Sequence, residues 1–123
     1  MRRPVALITA LLVASLLTAL DAGAHAFLVR SAPAARANLS RPPDRVHLWF
    51  NERLEPAYSR ASVWDHRGQQ VDAADGAVDG AEPTRLTVGV PALKPGTYTV
   101  KFRVLSVDGH LAEAQFPFTV REP

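Results

Sequence analysis

Three residues of this chain could together hold a transition-metal ion: His25, Asp108 and His110. His25 follows Ala22-Gly23-Ala24, and a cut after Ala24 would make it the first residue of the processed protein. A histidine at a free amino terminus offers its α-amine and its imidazole to one chelate ring, and an amine with an ordinary pKa near ~8 gives up its proton at modest cost. Asp108 and His110 flank Gly109 in Ser106-Val107-Asp108-Gly109-His110, so a short loop can turn a carboxylate oxygen and a second imidazole toward one point. The same Asp-Gly pair is a favoured centre for a tight β-hairpin, because both residues tolerate positive φ, and a plain turn is the competing reading. Three nitrogens and one oxygen in a roughly square-planar set suit Cu(II), which also stands highest among the divalent ions in intrinsic affinity.

The chelate exists only if the chain is cut. Arg2 and Arg3 form a short basic start, Val5 to Leu20 is apolar apart from Thr9, Ser15 and Thr18, and Ala22 and Ala24 put small residues on the near side of the junction. That pattern predicts a secretory signal peptide over residues 1–24 and one exported domain over 25–123. The uninterrupted apolar stretch is shorter than the ~20 residues of a spanning helix, and no stop-transfer charges follow it, so cleavage is favoured over an anchor. A twin-arginine signal is the minor alternative for export, since Arg2-Arg3 lies at the extreme start with Pro4 behind it.

Removing 24 of the 123 residues leaves 99, enough for one compact domain and too few for two. The formal net charge of +2 drops to +1 as Arg2, Arg3 and Asp21 leave, and so small a charge gives nucleic-acid binding no support. The chain has no cysteine. That excludes disulfides, thiolate chemistry and a blue-copper electron-transfer site, and the domain must hold together by its core alone.

The elements that must position the donors read as strands. Tyr98, Val100, Phe102 and Val104 alternate with Thr97, Thr99, Lys101 and Arg103. Val46, Leu48 and Phe50 alternate likewise, as do Leu86, Val88 and Val90, and Phe116, Phe118 and Val120. Weaker candidates are Phe27 to Arg30, Ala61 to Asp65 and Gln70 to Asp72, with breakers such as Arg67-Gly68, the stretch Asp72 to Gly80, and Lys94-Pro95-Gly96 between them. No helical period stands out after residue 24. About seven short strands in roughly a hundred residues predict an all-β, antiparallel β-sandwich of Greek-key type.

With these residues in view, the chain resembles the CopC copper-resistance proteins of the bacterial periplasm. The resemblance runs from His25-Ala26 through Ser31-Ala32-Pro33, Pro43, Val46-His47-Leu48-Trp49-Phe50-Asn51-Glu52 and Gly96-Thr97-Tyr98-Thr99-Val100. It ends at Ser106-Val107-Asp108-Gly109-His110 and Phe116-Pro117-Phe118-Thr119-Val120. It implies a cupredoxin-like or immunoglobulin-like sandwich that binds one Cu(II) per chain through the amine and side chain of His25, with Asp108 and His110. It also implies a monomeric, periplasmic binding protein rather than an enzyme, with a CopD-type membrane copper transporter as partner. Glu52 matches the family's acid close to the copper, and period two from Val46 places it on the face of Leu48 and Phe50, where it could accept a hydrogen bond from the amine or a bound water.

Two departures from the family pattern stand out. Some members carry a methionine-rich Cu(I) segment, but the only methionine here is Met1, so a soft-donor site cannot be built after processing. Where the family has a glycine beyond Asp-Gly-His, this chain reads Ala112-Glu113-Ala114. His47 is expected on an outer sheet face and His66 in a turn, both solvated, while Trp49, Trp64, Tyr58 and Phe102 are assigned to packing. Two other functions compete with copper binding. One is a small oxidative copper enzyme with an N-terminal histidine chelate, usually a longer chain with a flat aromatic face; the other is a metal-free secreted module.

Overall fold

The computed structural model describes residues 27–123. Eight strands and one 3-10 turn follow in order: β1 Leu28–Ala32, β2 Asn38–Leu39, β3 Arg45–Phe50, the turn Pro56–Tyr58, β4 Arg60–Trp64, β5 Ala77–Val78, β6 Arg85–Gly89, β7 Gly96–Leu105 and β8 Leu111–Val120. They form two four-stranded sheets, β1-β3-β6-β5 and β2-β8-β7-β4. The protein is therefore the all-β sandwich that its alternating patterns predict. Every pairing is antiparallel except β2 with β8, where Asn38 and Leu39 run parallel to Thr119 and Val120.

Period two decides which side of each sheet is dry. Val46, Leu48 and Phe50 of β3 and Leu86 and Val88 of β6 face Val63 of β4, Tyr98, Val100, Phe102 and Val104 of β7, and Phe116, Phe118 and Val120 of β8, all buried. The layers meet through contacts such as Phe50 against Phe102, edge to face with ring centroids 5.2 Å apart. Phe118 is fully buried and lies alongside Tyr98, centroids 5.5 Å apart. Phe118→Ala is expected to lower the free energy of unfolding by about 3–5 kcal/mol, the range for emptying a large aromatic site. A denaturant melt that moved by less than about 1 kcal/mol would mean that Phe118 is not central to the core.

The outer faces differ from expectation in one respect. His47 does lie opposite Val46 and Leu48, but it is half-buried rather than solvated: it stacks on Trp49 with centroids 5.6 Å apart, and the Arg30 guanidinium lies over that indole at 3.9 Å. Burial, and then the charges of Arg85 and Arg45, hold the His47 imidazole below its ordinary pKa. Trp64 sits on the outer face of the other sheet with Lys101 over its ring at 4.9 Å. Tyr58 is exposed and Phe102 is core, so packing accounts fully for only the latter. His66 is exposed, as its turn setting predicts.

Candidate metal centre

The site is assembled at the end of the sandwich where β7 turns into β8. The two strands pair without interruption from Gly96 opposite Val120 to Leu105 opposite Leu111. Ala112-Glu113-Ala114 therefore continues the ladder, and the missing glycine leaves the backbone path regular. Between the strands, Ser106 to His110 close a tight turn: the Gly109 N–H donates to the Ser106 carbonyl at 2.9 Å, and the Ser106 N–H to the His110 carbonyl at 3.0 Å. Gly109 has φ of +93°, a left-handed conformation that glycine adopts at no steric cost. Asp108-Gly109 is thus a hairpin turn, and the same turn presents both side chains.

Asp108 and His110 are brought together. His110 Nδ1 lies 3.2 Å from Asp108 Oδ1, and both side chains remain about two-fifths exposed at 39%. The Ser106 hydroxyl, fully buried beneath them, donates to the same Asp108 oxygen and accepts from the His110 backbone N–H at 3.3 Å.

Glu52 reaches this pair from the other sheet. It follows the end of β3, and its neighbours bind the hairpin turn through the backbone: the Val107 N–H donates to the Arg53 carbonyl at 3.0 Å, and Leu54 bridges to Ser106. Its carboxyl is hydrogen-bonded to Asp108. Burial, followed by the Asp108 charge and that hydrogen bond, pushes Glu52 above the usual carboxylate range. Asp108 moves the opposite way, held down first by the Ser106 hydroxyl and then by His110 and Glu52.

The chain enters at the same place. The Phe27 N–H donates to Asn51 Oδ1 at 2.7 Å, and the Asn51 N–H donates to the Phe27 carbonyl at 3.2 Å, which pins Phe27 beside Glu52 in sequence. His25 lies outside the described residues. Among those described, no set of three or more His, Cys, Asp or Glu side chains gathers closely enough to hold a metal. Asp108 and His110 supply one oxygen and one imidazole, donors that fit Cu(II) but are too few for it alone.

Ser106 reads in the sequence only as the start of the Asp-Gly-His motif, which does not anticipate its burial beneath the turn. It occupies the next inward position after Tyr98, Val100, Phe102 and Val104, a hydroxyl where the row calls for an apolar side chain, and that break is its signal. The aromatic residues give no common platform. Trp49 and Trp64 project from opposite sheets, each under its own cation. A hollow of about 610 Å³ between Arg60, Trp64, Lys101 and Arg103 lies on the outer face of the β4-β7-β8 sheet and includes none of Glu52, Asp108 and His110.

Comparison with known proteins agrees over nearly all of the described residues. Residues 28–121 match the CopC domain. A crystal structure of CopC from Methylosinus trichosporium OB3b is 40% identical and superposes with a TM-score of 0.71, covering 79% of this chain and 94% of that one. PcoC, a methionine-rich copper resistance protein from Escherichia coli, is 31% identical with a TM-score of 0.71, covering 80% of this chain and all of that one. The protein YobA of Escherichia coli K12 is 34% identical over 113 residues, 91% of this chain and 90% of its own length.

Proposed function

The chain belongs to the CopC domain family, whose members are copper-resistance proteins and not enzymes, and from that premise we propose that it is a periplasmic protein that binds one Cu(II) and sequesters it or passes it on. The oxidative-enzyme alternative falls with the family assignment. The observation that carries the reading is the clasp of Asp108 and His110 on a rigid turn, at the end of the sandwich where the chain enters.

Only Ala26 stands between His25 and Phe27, a reach of roughly 7 Å in extended chain. Cleavage after Ala24 gives His25 a free amine, and its two nitrogens complete a set of three nitrogens and one oxygen with Asp108 and His110. Bound there, copper is held as Cu(II) by hard nitrogen and oxygen donors. Glu52, hydrogen-bonded to Asp108, orients that carboxylate and is positioned to meet the amine. In contrast to methionine-rich PcoC, this chain has Met1 alone, which the signal peptide removes, so a Cu(I) thioether site is absent from the function. Delivery is to a CopD-type membrane transporter, and the protein acts as a monomer.

Titration of the correctly processed protein tests this. One tightly held Cu(II) per chain is expected, with a tetragonal electron paramagnetic resonance spectrum of nitrogen and oxygen ligation. Binding lost on substitution of His47 or His66, and kept when His25, Asp108 or His110 is changed, would overturn the assignment.

A further inference from the structure

The buried hydroxyl under the turn has no reason to be there for packing. Every other inward position of β7 from Tyr98 to Val104 is apolar, and Ser106, with no exposed surface, puts a polar group at the end of that row. A buried hydroxyl without partners is costly, so its contacts are obligatory. They go to the two residues that matter. Its proton goes to Asp108 Oδ1, and its lone pair receives the His110 N–H at 3.3 Å.

The backbone around Ser106 is fixed independently of that hydroxyl. Its N–H is bonded to the His110 carbonyl at 3.0 Å, its carbonyl accepts from Gly109 at 2.9 Å, and it bridges to Leu54 of the opposite layer. The turn therefore keeps its path without the oxygen, but the Asp108 carboxylate loses the donor that sets its rotation. A carboxylate free to rotate on an exposed turn must be ordered when metal arrives, and that ordering reduces affinity.

We infer that Ser106 is a positioning residue for copper: its hydroxyl holds the Asp108 carboxylate in the geometry that receives the ion. The inference rests on the copper reading above. Ser106 touches the metal through neither atom nor charge of its own, so its effect must pass through Asp108.

That dependence defines the test. Ser106→Ala is expected to weaken Cu(II) binding about 10–100-fold, as loss of an outer partner typically does, and to shift the electron paramagnetic resonance parameters of the bound ion. In an Asp108→Ala background, where no side-chain oxygen is left to accept from Ser106, the same substitution should leave affinity nearly unchanged. If Ser106→Ala does not fold, Ser106→Gly removes the hydroxyl without adding volume and is measured in the same cycle. A Ser106 variant that matches the wild type in affinity and spectrum would overturn the inference alone, and so would one that loses equal affinity with and without Asp108, the mark of a merely structural role. A wild-type protein that takes up no copper would overturn the copper reading and this inference with it.

Discussion

Acetylating the α-amine of His25, or leaving one residue ahead of it, is expected to weaken Cu(II) binding by more than about 100-fold, beyond the ~10–100-fold typical of losing an outer hydrogen-bond partner. The fold should not notice. The sheets pair among residues 28–120, and Phe27 is tied to Asn51, all beyond that amine. Competition against a Cu(II) chelator measures the loss, and circular dichroism checks the sheets. An extended chain brings its own amine and a peptide nitrogen, which can collect copper without the hairpin turn. Asp108→Asn is therefore made in both backgrounds and should weaken only the protein that begins at His25. Equal affinity of the blocked and open forms would remove the amine from the donor set.

Affinity should also collapse in acid. Copper binding displaces a proton from each nitrogen donor that holds one, and imidazoles and α-amines take up protons near about 6.5 and 8 in model peptides. Below about pH 6 three such groups compete with the ion, and the slope approaches roughly three decades of affinity per pH unit. Asp108 adds nothing to that slope. Its pKa is depressed by Ser106, His110 and Glu52, so the carboxylate is already ionised throughout the range and protonates only in stronger acid. Chelator competition from pH 8 to pH 5 gives the profile, and a flat one would contradict a nitrogen-rich site.

How much of this was legible in the residues depended on whether period two had room to show. Val46, Leu48 and Phe50, or the long row of β7, alternate over enough positions to identify a strand and its dry face. Two-residue strands cannot alternate, so β2 and β5 left no trace, and the second of them lies inside the Asp- and Gly-rich stretch that reads as a breaker. β8 begins at Leu111, five residues before Phe116, because its first inward positions are Ala112 and Ala114, too small to announce a core face near the open end. In β1 a register shift between Leu28 and Arg30 breaks the alternation outright.

The pairing of Asp108 with His110 was legible because it is local to one turn. Its connection to Glu52 is not, since it depends on the chain after β3 meeting the β7–β8 turn, Arg53 with Val107 and Leu54 with Ser106. His47 was placed on the correct face, but it is half-buried beside Trp49 of its own strand, over which the β1–β3 pairing brings Arg30.

The centre draws on both layers: Glu52 and the chain entry belong to the β3 side, while Asp108 and His110 belong to the β7–β8 hairpin. Bound as proposed, by His25 on one side and by Asp108 and His110 on the other, an ion would act as a rivet between the sheets, and pulling them apart would mean releasing it. Where free copper stands a thousand-fold above the dissociation constant, that adds about 4 kcal/mol to the unfolding free energy. Empty chains open more often and are cut sooner by any protease that samples open states. Metal supply would then set how long each copy survives, so that abundance itself becomes a record of exposure.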